Sequence, residues 1–123
     1  MKQYLAARVR SFGYAIRGIL TLIGTQPHAR LHLLAALLVV AAGWTVHLRR
    51  WEWVAILLCI GMVWMAEALN TAIEFLADEV TLERRERIGK AKDVAAGGVL
   101  ITVLVSVAVA VLVFLNHFGV HLR

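Results

Sequence analysis

Four polar side chains interrupt an otherwise apolar run: Glu67, Asn70, Glu74 and Asp78. On a helix turning about 100° per residue they fall near 0°, 300°, 340° and 20°, so all four share a sector of about 80°. An acidic group at mid-span costs roughly 2.5–3.5 kcal/mol on insertion scales, and such groups usually mark function. A lone Asn would read as glue between helices. Carboxylates on one face instead repel one another unless a cation or a proton lies between them. Lys92 and Asp93 precede the next apolar stretch, at the boundary that Asp78 reaches from its own side. A lysine binds phosphate as a point charge, and carboxylates hold Mg²⁺ through a few oxygens while phosphate and water complete its shell. Together these residues suggest phosphoryl transfer at a membrane surface.

The elements that must position them are apolar helices. Of 123 residues 61% are hydrophobic and 17% charged, with one Pro and one Cys; a soluble domain carries about 25% charged residues, so a water-soluble globule is excluded. Residues 33–46 are uncharged, and with residues 31, 32, 47 and 48 they reach the length of a short span. The second run starts at Trp53, and to gain the ~20 residues a crossing needs it must continue through Glu67, Asn70 and Glu74. Residues 94–115 hold no charge at all. The expected fold is therefore an all-α membrane protein in a single domain, 1–123. A surface helix and entry occupy 1–28, and transmembrane helices occupy 29–48, 53–77 and 93–117. Leu5, Val9, Phe12, Ile16, Ile19 and Ile23 recur at three- and four-residue steps, which predicts an amphipathic first helix. It is expected to lie on the membrane surface or to dock on the chain's own spans, and to belong to the mature protein rather than to a signal peptide.

Ten Lys and Arg flank one side of these spans (Lys2, Arg8, Arg10, Arg17, Arg30, Arg84, Arg85, Arg87, Lys90, Lys92) and three the other (Arg49, Arg50, Arg123). The excess predicts a cytoplasmic N-terminus and a cytoplasmic loop between the second and third spans. Trp44, Trp51 and Trp53 read as interface anchors around the short outer loop. The net charge of +5 is accounted for by the same bias, without nucleic acid. Cys59 alone cannot form an intrachain disulfide. Gly89-Lys90 lacks the earlier glycine of a P-loop. The pairs His28/His32 and His117/His121 have metal spacing but no third ligand nearby. Ala95, Ala96, Gly97 and Gly98 predict a close helix approach.

The run EALNTAIEFLADE (67–79) followed by KAKDVAAGGVL (90–100) resembles the small integral-membrane prokaryotic diacylglycerol kinases, a family that includes undecaprenol kinases. The likeness extends upstream through FGYAIRG (12–18) and ARLHL (29–33). The resemblance implies that Glu67 is the general base for the lipid hydroxyl, that Glu74 binds the Mg²⁺ of ATP, and that Asn70 orients the pair. It also implies that Lys92 contacts the ATP phosphates, with Asp93 and Asp78 completing the polar network and Tyr14 near the adenine. A homotrimer with sites between subunits, in the bacterial inner membrane, follows from the same likeness. Where the family often has a second metal-binding Glu this chain has Gln26, whose amide offers an oxygen without a charge, and His28 replaces a frequent Asn.

The expected function is an ATP-dependent lipid kinase, converting diacylglycerol to phosphatidic acid, with undecaprenol as the alternative acceptor. A small proton-coupled transporter would normally have a fourth span and no Lys92/Asp93 cluster. A non-catalytic scaffold leaves the acidic face without a reason.

Overall fold

The computed structural model describes residues 1–83 and 85–118, with only the backbone at Lys2; Arg84, His121 and Arg123 lie outside the described residues. It contains four helices: α1 (Lys2–Thr25), α2 (Pro27–Thr45), α3 (Arg50–Val80) and α4 (Glu86–His117). Three of them, α2, α3 and α4, are long and apolar enough to cross a membrane. In hydrocarbon a spanning segment must satisfy its own backbone groups, and an open chain does so as helix. At 31 and 32 residues, α3 and α4 are each about 46–48 Å long. They exceed a hydrocarbon core of about 30 Å, so their ends project into the interfaces.

The breaks between helices have local causes. Pro27 is the first residue of α2, and the residue before a proline is pushed out of the helical region. Gln26 accordingly sits at φ −104°, ψ 113°, its N–H closing α1 on the Leu22 carbonyl. The Arg30 guanidinium then folds back to donate to the Ile23 (2.8 Å) and Gly24 carbonyls at the end of α1. Between α2 and α3, His47 adopts φ 57°, a left-handed conformation that tightens the turn. Leu48 donates from its backbone to Gly43 O at 3.1 Å. The turn packs so closely that a Cβ on Gly43 would stand 2.8 Å from Leu48 Cδ1 and 3.0 Å from the Trp53 ring. Trp53 is thus half-buried against Leu48, Ile56 and Val113. Its indole does more than anchor at an interface; Trp44 and Trp51 are exposed, as anchors are.

α3 and α4 form an antiparallel hairpin fastened at three heights. Lys92 Nζ donates to Asp78 Oδ1 at 2.9 Å beside the loop, Ser106 Oγ lies 3.5 Å from the Cys59 carbonyl at mid-length, and His117 Nε2 lies 3.1 Å from Glu52 Oε2 at the far end. The polarity of the packing is inverted relative to a soluble domain. Leu34, Leu58, Leu69, Ile101 and Leu104 are exposed, while Glu52, Glu67, Asn70 and Thr71 are buried. On α1 Leu5, Val9, Phe12, Ile16 and Ile19 of the stripe are exposed, and only Ile23, near the end where α1 meets α2 and α3, is half-buried. In the small-residue patch of α4 a Cβ on Gly97 or Gly98 would meet nothing within 4 Å, so among the described residues no helix approaches these two glycines closely.

Glu52 is 1% exposed and also accepts from the Arg49 backbone N–H at 2.7 Å. Removing its imidazole partner leaves a buried charge with one donor fewer, which typically costs 3–5 kcal/mol. His117→Leu is therefore expected to lower stability in detergent by roughly 3 kcal/mol, read as a fall in the thermal midpoint. Adding Glu52→Gln should recover part of the loss by removing the charge; a double variant no more stable than His117→Leu would contradict the pairing.

Candidate functional site

All six buried residues of α3 (Glu52, Ile56, Val63, Glu67, Asn70 and Thr71) fall within a sector of about 100° at 100° per residue. The acidic face expected from the sequence is the buried face of this helix. Along it exposure rises toward the loop: Glu67 is 3% exposed and Asn70 9%, whereas Glu74 is half-buried and Asp78 exposed. The face therefore runs from a nearly closed environment to an open one within about 16 Å, the rise of eleven residues.

Asn70 Nδ2 donates to Glu74 Oε1 at 3.1 Å. That bond aims the carboxylate and leaves the Asn70 Oδ1 acceptor buried without a hydrogen-bond partner, as is the Thr71 hydroxyl one residue on. Buried polar atoms without partners are uncommon and costly, of order 1–3 kcal/mol each. An unpartnered amide oxygen beside a carboxylate is a pair of oxygen donors, the chemistry that a hard cation takes. Among the described residues no group of three or more His, Cys, Asp or Glu could hold a metal by itself. The donor set fits a cation that arrives with oxygens of its own, as Mg²⁺ does on phosphates.

The second element of the site is α4. The short loop after Val80 returns the chain so that Lys92, just before the uncharged 94–115 stretch, reaches Asp78. The hydrogen bond that Lys92 donates to Asp78 raises the pKa of Lys92, with the Asp78 and Glu74 charges adding to it, so the ammonium is held charged at the open end of the acidic face. Asp93 is exposed and forms no ion pair among the described residues. Tyr14 is 64% exposed on α1, with the Arg17 guanidinium 5.1 Å from its ring centroid. Gln26 is half-buried at the α1–α2 junction. No hydrogen bond or ion pair among the described residues joins Tyr14 or Gln26 to Glu74, Asp78 or Lys92. One chain thus brings together Glu67, Asn70, Glu74, Asp78 and Lys92 along α3, and does not bring in Tyr14, Gln26 or Asp93.

Two neighbours escaped the sequence reading. Thr71 falls near 40° on the same wheel, so extending the sector by one step finds it. His32, on α2, stands 3.9 Å from Glu67 Oε2, and His28 is exposed. Nothing in the spacing of a single chain tells which rung of α2 faces which rung of α3. His32 also lines an apolar cavity of about 140 Å³ between α2, α3 and α4, with Val39, Ile56, Trp64 and Ser106. The Ser106 hydroxyl is already committed to Thr102 O at 2.7 Å.

The family model of the prokaryotic diacylglycerol kinases matches residues 13–114. The undecaprenol kinase of Bacillus subtilis is 38% identical over 106 residues, 86% of each chain. The diacylglycerol kinase of Escherichia coli K12 is 28% identical over 111 residues, 90% of this chain and 91% of its own. That of Synechocystis is 33% identical over 100 residues, 80% of this chain and 57% of its own.

The Lys92–Asp78 pair is 36% and 52% exposed at its side chains, and such pairs contribute at most about 1 kcal/mol. Lys92→Met should therefore shift the thermal midpoint by no more than that allows. A larger fall would make Lys92 a structural clasp rather than a cation available to a ligand.

Proposed function

The chain belongs to the prokaryotic diacylglycerol kinase family and is a membrane lipid kinase, and from that premise we propose that it transfers the γ-phosphate of ATP to the hydroxyl of a polyprenol such as undecaprenol. The observation that carries the reading is the graded acidic face of α3. A nearly closed carboxylate, Glu67, lies at the lipid end and an open cation, Lys92, at the aqueous end, with Glu74 and Asn70 between them. The lipid alcohol approaches from the bilayer and the nucleotide from the cytoplasm, the side to which the Lys and Arg excess assigns the loop after α3.

Glu67 takes the proton of the lipid hydroxyl as its oxygen attacks the γ-phosphorus. The bond to the β-phosphate oxygen breaks, and ADP leaves. Asn70 fixes the Glu74 carboxylate through its Nδ2, and Lys92 exchanges Asp78 for phosphate oxygens. Little covalent chemistry falls to the protein, whose task is positioning and neutralising charge. Glu74 and the free oxygen of Asn70 would hold Mg²⁺, with the Gln26 amide as a neutral further donor. The ion supplies neutralisation of the charge on the transferring phosphoryl group. Tyr14, Gln26 and Asp93 complete the site in a homotrimer, where α1 of one copy can meet the acidic face of another. The exposed stripe of α1 then rests on the membrane surface or on that neighbour.

A polyprenol is favoured over diacylglycerol by the relatives: the one named an undecaprenol kinase shares 38% of aligned residues, against 28% for the Escherichia coli diacylglycerol kinase. Diacylglycerol is the second reading, supported by the names of two of the relatives.

Purified protein in mixed micelles with labelled ATP, offered each lipid in turn, should label undecaprenol at the higher kcat/KM. Preferential labelling of diacylglycerol would select the second reading, and labelling of neither would remove the kinase assignment. Glu67→Gln, nearly isosteric, should lose about 10²–10⁴-fold in turnover with assembly intact; turnover above a tenth of the parent's would exclude Glu67 as the base. Lys92→Ala should raise the KM for MgATP about tenfold or more, the loss of a charge-assisted contact, while the lipid KM stays within about twofold. Equal rises in both would point to a disturbed α3–α4 loop.

A further inference from the structure

Glu67 is 3% exposed, and among the described residues its only partner at ion-pair distance is His32, at 3.9 Å. Ionised carboxylates that are shut away from water need a donor or a cation beside them. The Asn70 amide donates to Glu74, not to Glu67. Lys92 is bound to Asp78, eleven residues further along α3. His32 is half-buried on α2, and Ala29, one turn earlier on the same face of that helix, is 0% exposed. α2 is therefore pressed against its neighbours at the height from which the imidazole reaches α3.

We infer that His32 is the positioning residue of the catalytic base, its Nε2–H holding one oxygen of Glu67 so that the other faces the lipid hydroxyl. The inference rests on the kinase reading above. An imidazole suits the task better than lysine, because in its neutral form it donates a hydrogen bond and fixes direction without adding a full positive charge, which would make the carboxylate a weaker base. The 3.9 Å separation is longer than a hydrogen bond, and catalytic contacts of this kind commonly tighten only with substrate bound. His32 also lines the apolar cavity, so a lipid chain seated there would lie against the ring. The proton taken from the lipid stays on Glu67 during transfer, and His32 gains and loses none.

The test compares three substitutions in the full chain in mixed micelles, with the lipid that the parent phosphorylates. His32→Leu keeps bulk and removes the donor, and is expected to lower kcat about 10- to 100-fold, the scale of a misplaced reacting group. The KM for MgATP and that for lipid should stay within about twofold. His32→Gln, whose amide N–H donates from a similar reach, should recover kcat to within about threefold of the parent. His32→Asn, whose amide is held further back, should fall with His32→Leu, and this contrast between two amides does not depend on how well the leucine variant folds. In a Glu67→Gln background His32→Leu should cost nothing more, because the two side chains act as one unit. Equal turnover for His32→Leu, His32→Gln and the parent would overturn the inference alone. Loss in His32→Leu expressed as a rise in both KM values, with no recovery by Gln, would overturn it in favour of a packing role. A parent chain that transfers no phosphate to any lipid would overturn the kinase reading and this inference together.

Discussion

A carboxylate on a membrane-spanning helix cannot face the lipid, and that one constraint orients the rest of the molecule. Glu52 and Glu67 stand near 300° and 0° on α3, and both are buried. Once this sector is turned inward the opposite side of the helix, with Leu58, Met65 and Leu69, is left for the hydrocarbon. The rotation of α3 is thus set by charge rather than by a gradient of hydrophobicity, because lipid tails are as apolar as the leucines that meet them. The polar contacts follow this face. His117 comes from α4 to Glu52, His32 from α2 to Glu67, and Lys92 from α4 to Asp78 where the helix leaves the apolar region.

The α3–α4 hairpin converts that orientation into a site. The Glu52–His117 pair and the Ser106 contact with Cys59 hold the two helices in register, and that register brings Lys92 to Asp78. A slip by one turn, about 5.4 Å, would break all three at once and carry Lys92 away from the acidic face. The far pair, Glu52 with His117, is remote from the chemistry but fixes the register on which the near pair depends. Exposure graded from Glu67 to Asp78 then gives the face two ends of different character, one shut away from water and one solvated. α1 and the outward faces of the spans carry apolar surface that a single chain leaves open.

The parts legible in the sequence are those governed by periodicity within one helix. The common face of Glu67, Asn70, Glu74 and Asp78 and the meeting of Lys92 with Asp78 across a short loop follow from 3.6 residues per turn and loop length. Contacts that depend on the register between helices were not legible. Glu52 with His117 is 65 residues apart and His32 with Glu67 is 35, and no local pattern pairs them. The residue type of Trp53 suggests an interface anchor, but its position is decided by Gly43, which leaves room for the indole against the turn. The Ala95–Gly98 patch shows the converse, since small residues permit a close approach without specifying a partner, and among the described residues none comes close to Gly97 or Gly98.

The claim on which the account turns is that the buried carboxylate of α3 acts as a base in a direct transfer from ATP to the lipid. A carboxylate could instead attack phosphorus itself, giving an acyl phosphate that the lipid would then cleave. The two routes differ in stereochemistry. ATP made chiral at the γ-phosphorus with oxygen isotopes, turned over by the protein in micelles, reports the number of displacements through the configuration of the lipid phosphate. A single in-line displacement predicts inversion. Retention would require two displacements, would make the carboxylate a nucleophile, and would contradict the assignment of Glu67 as the base.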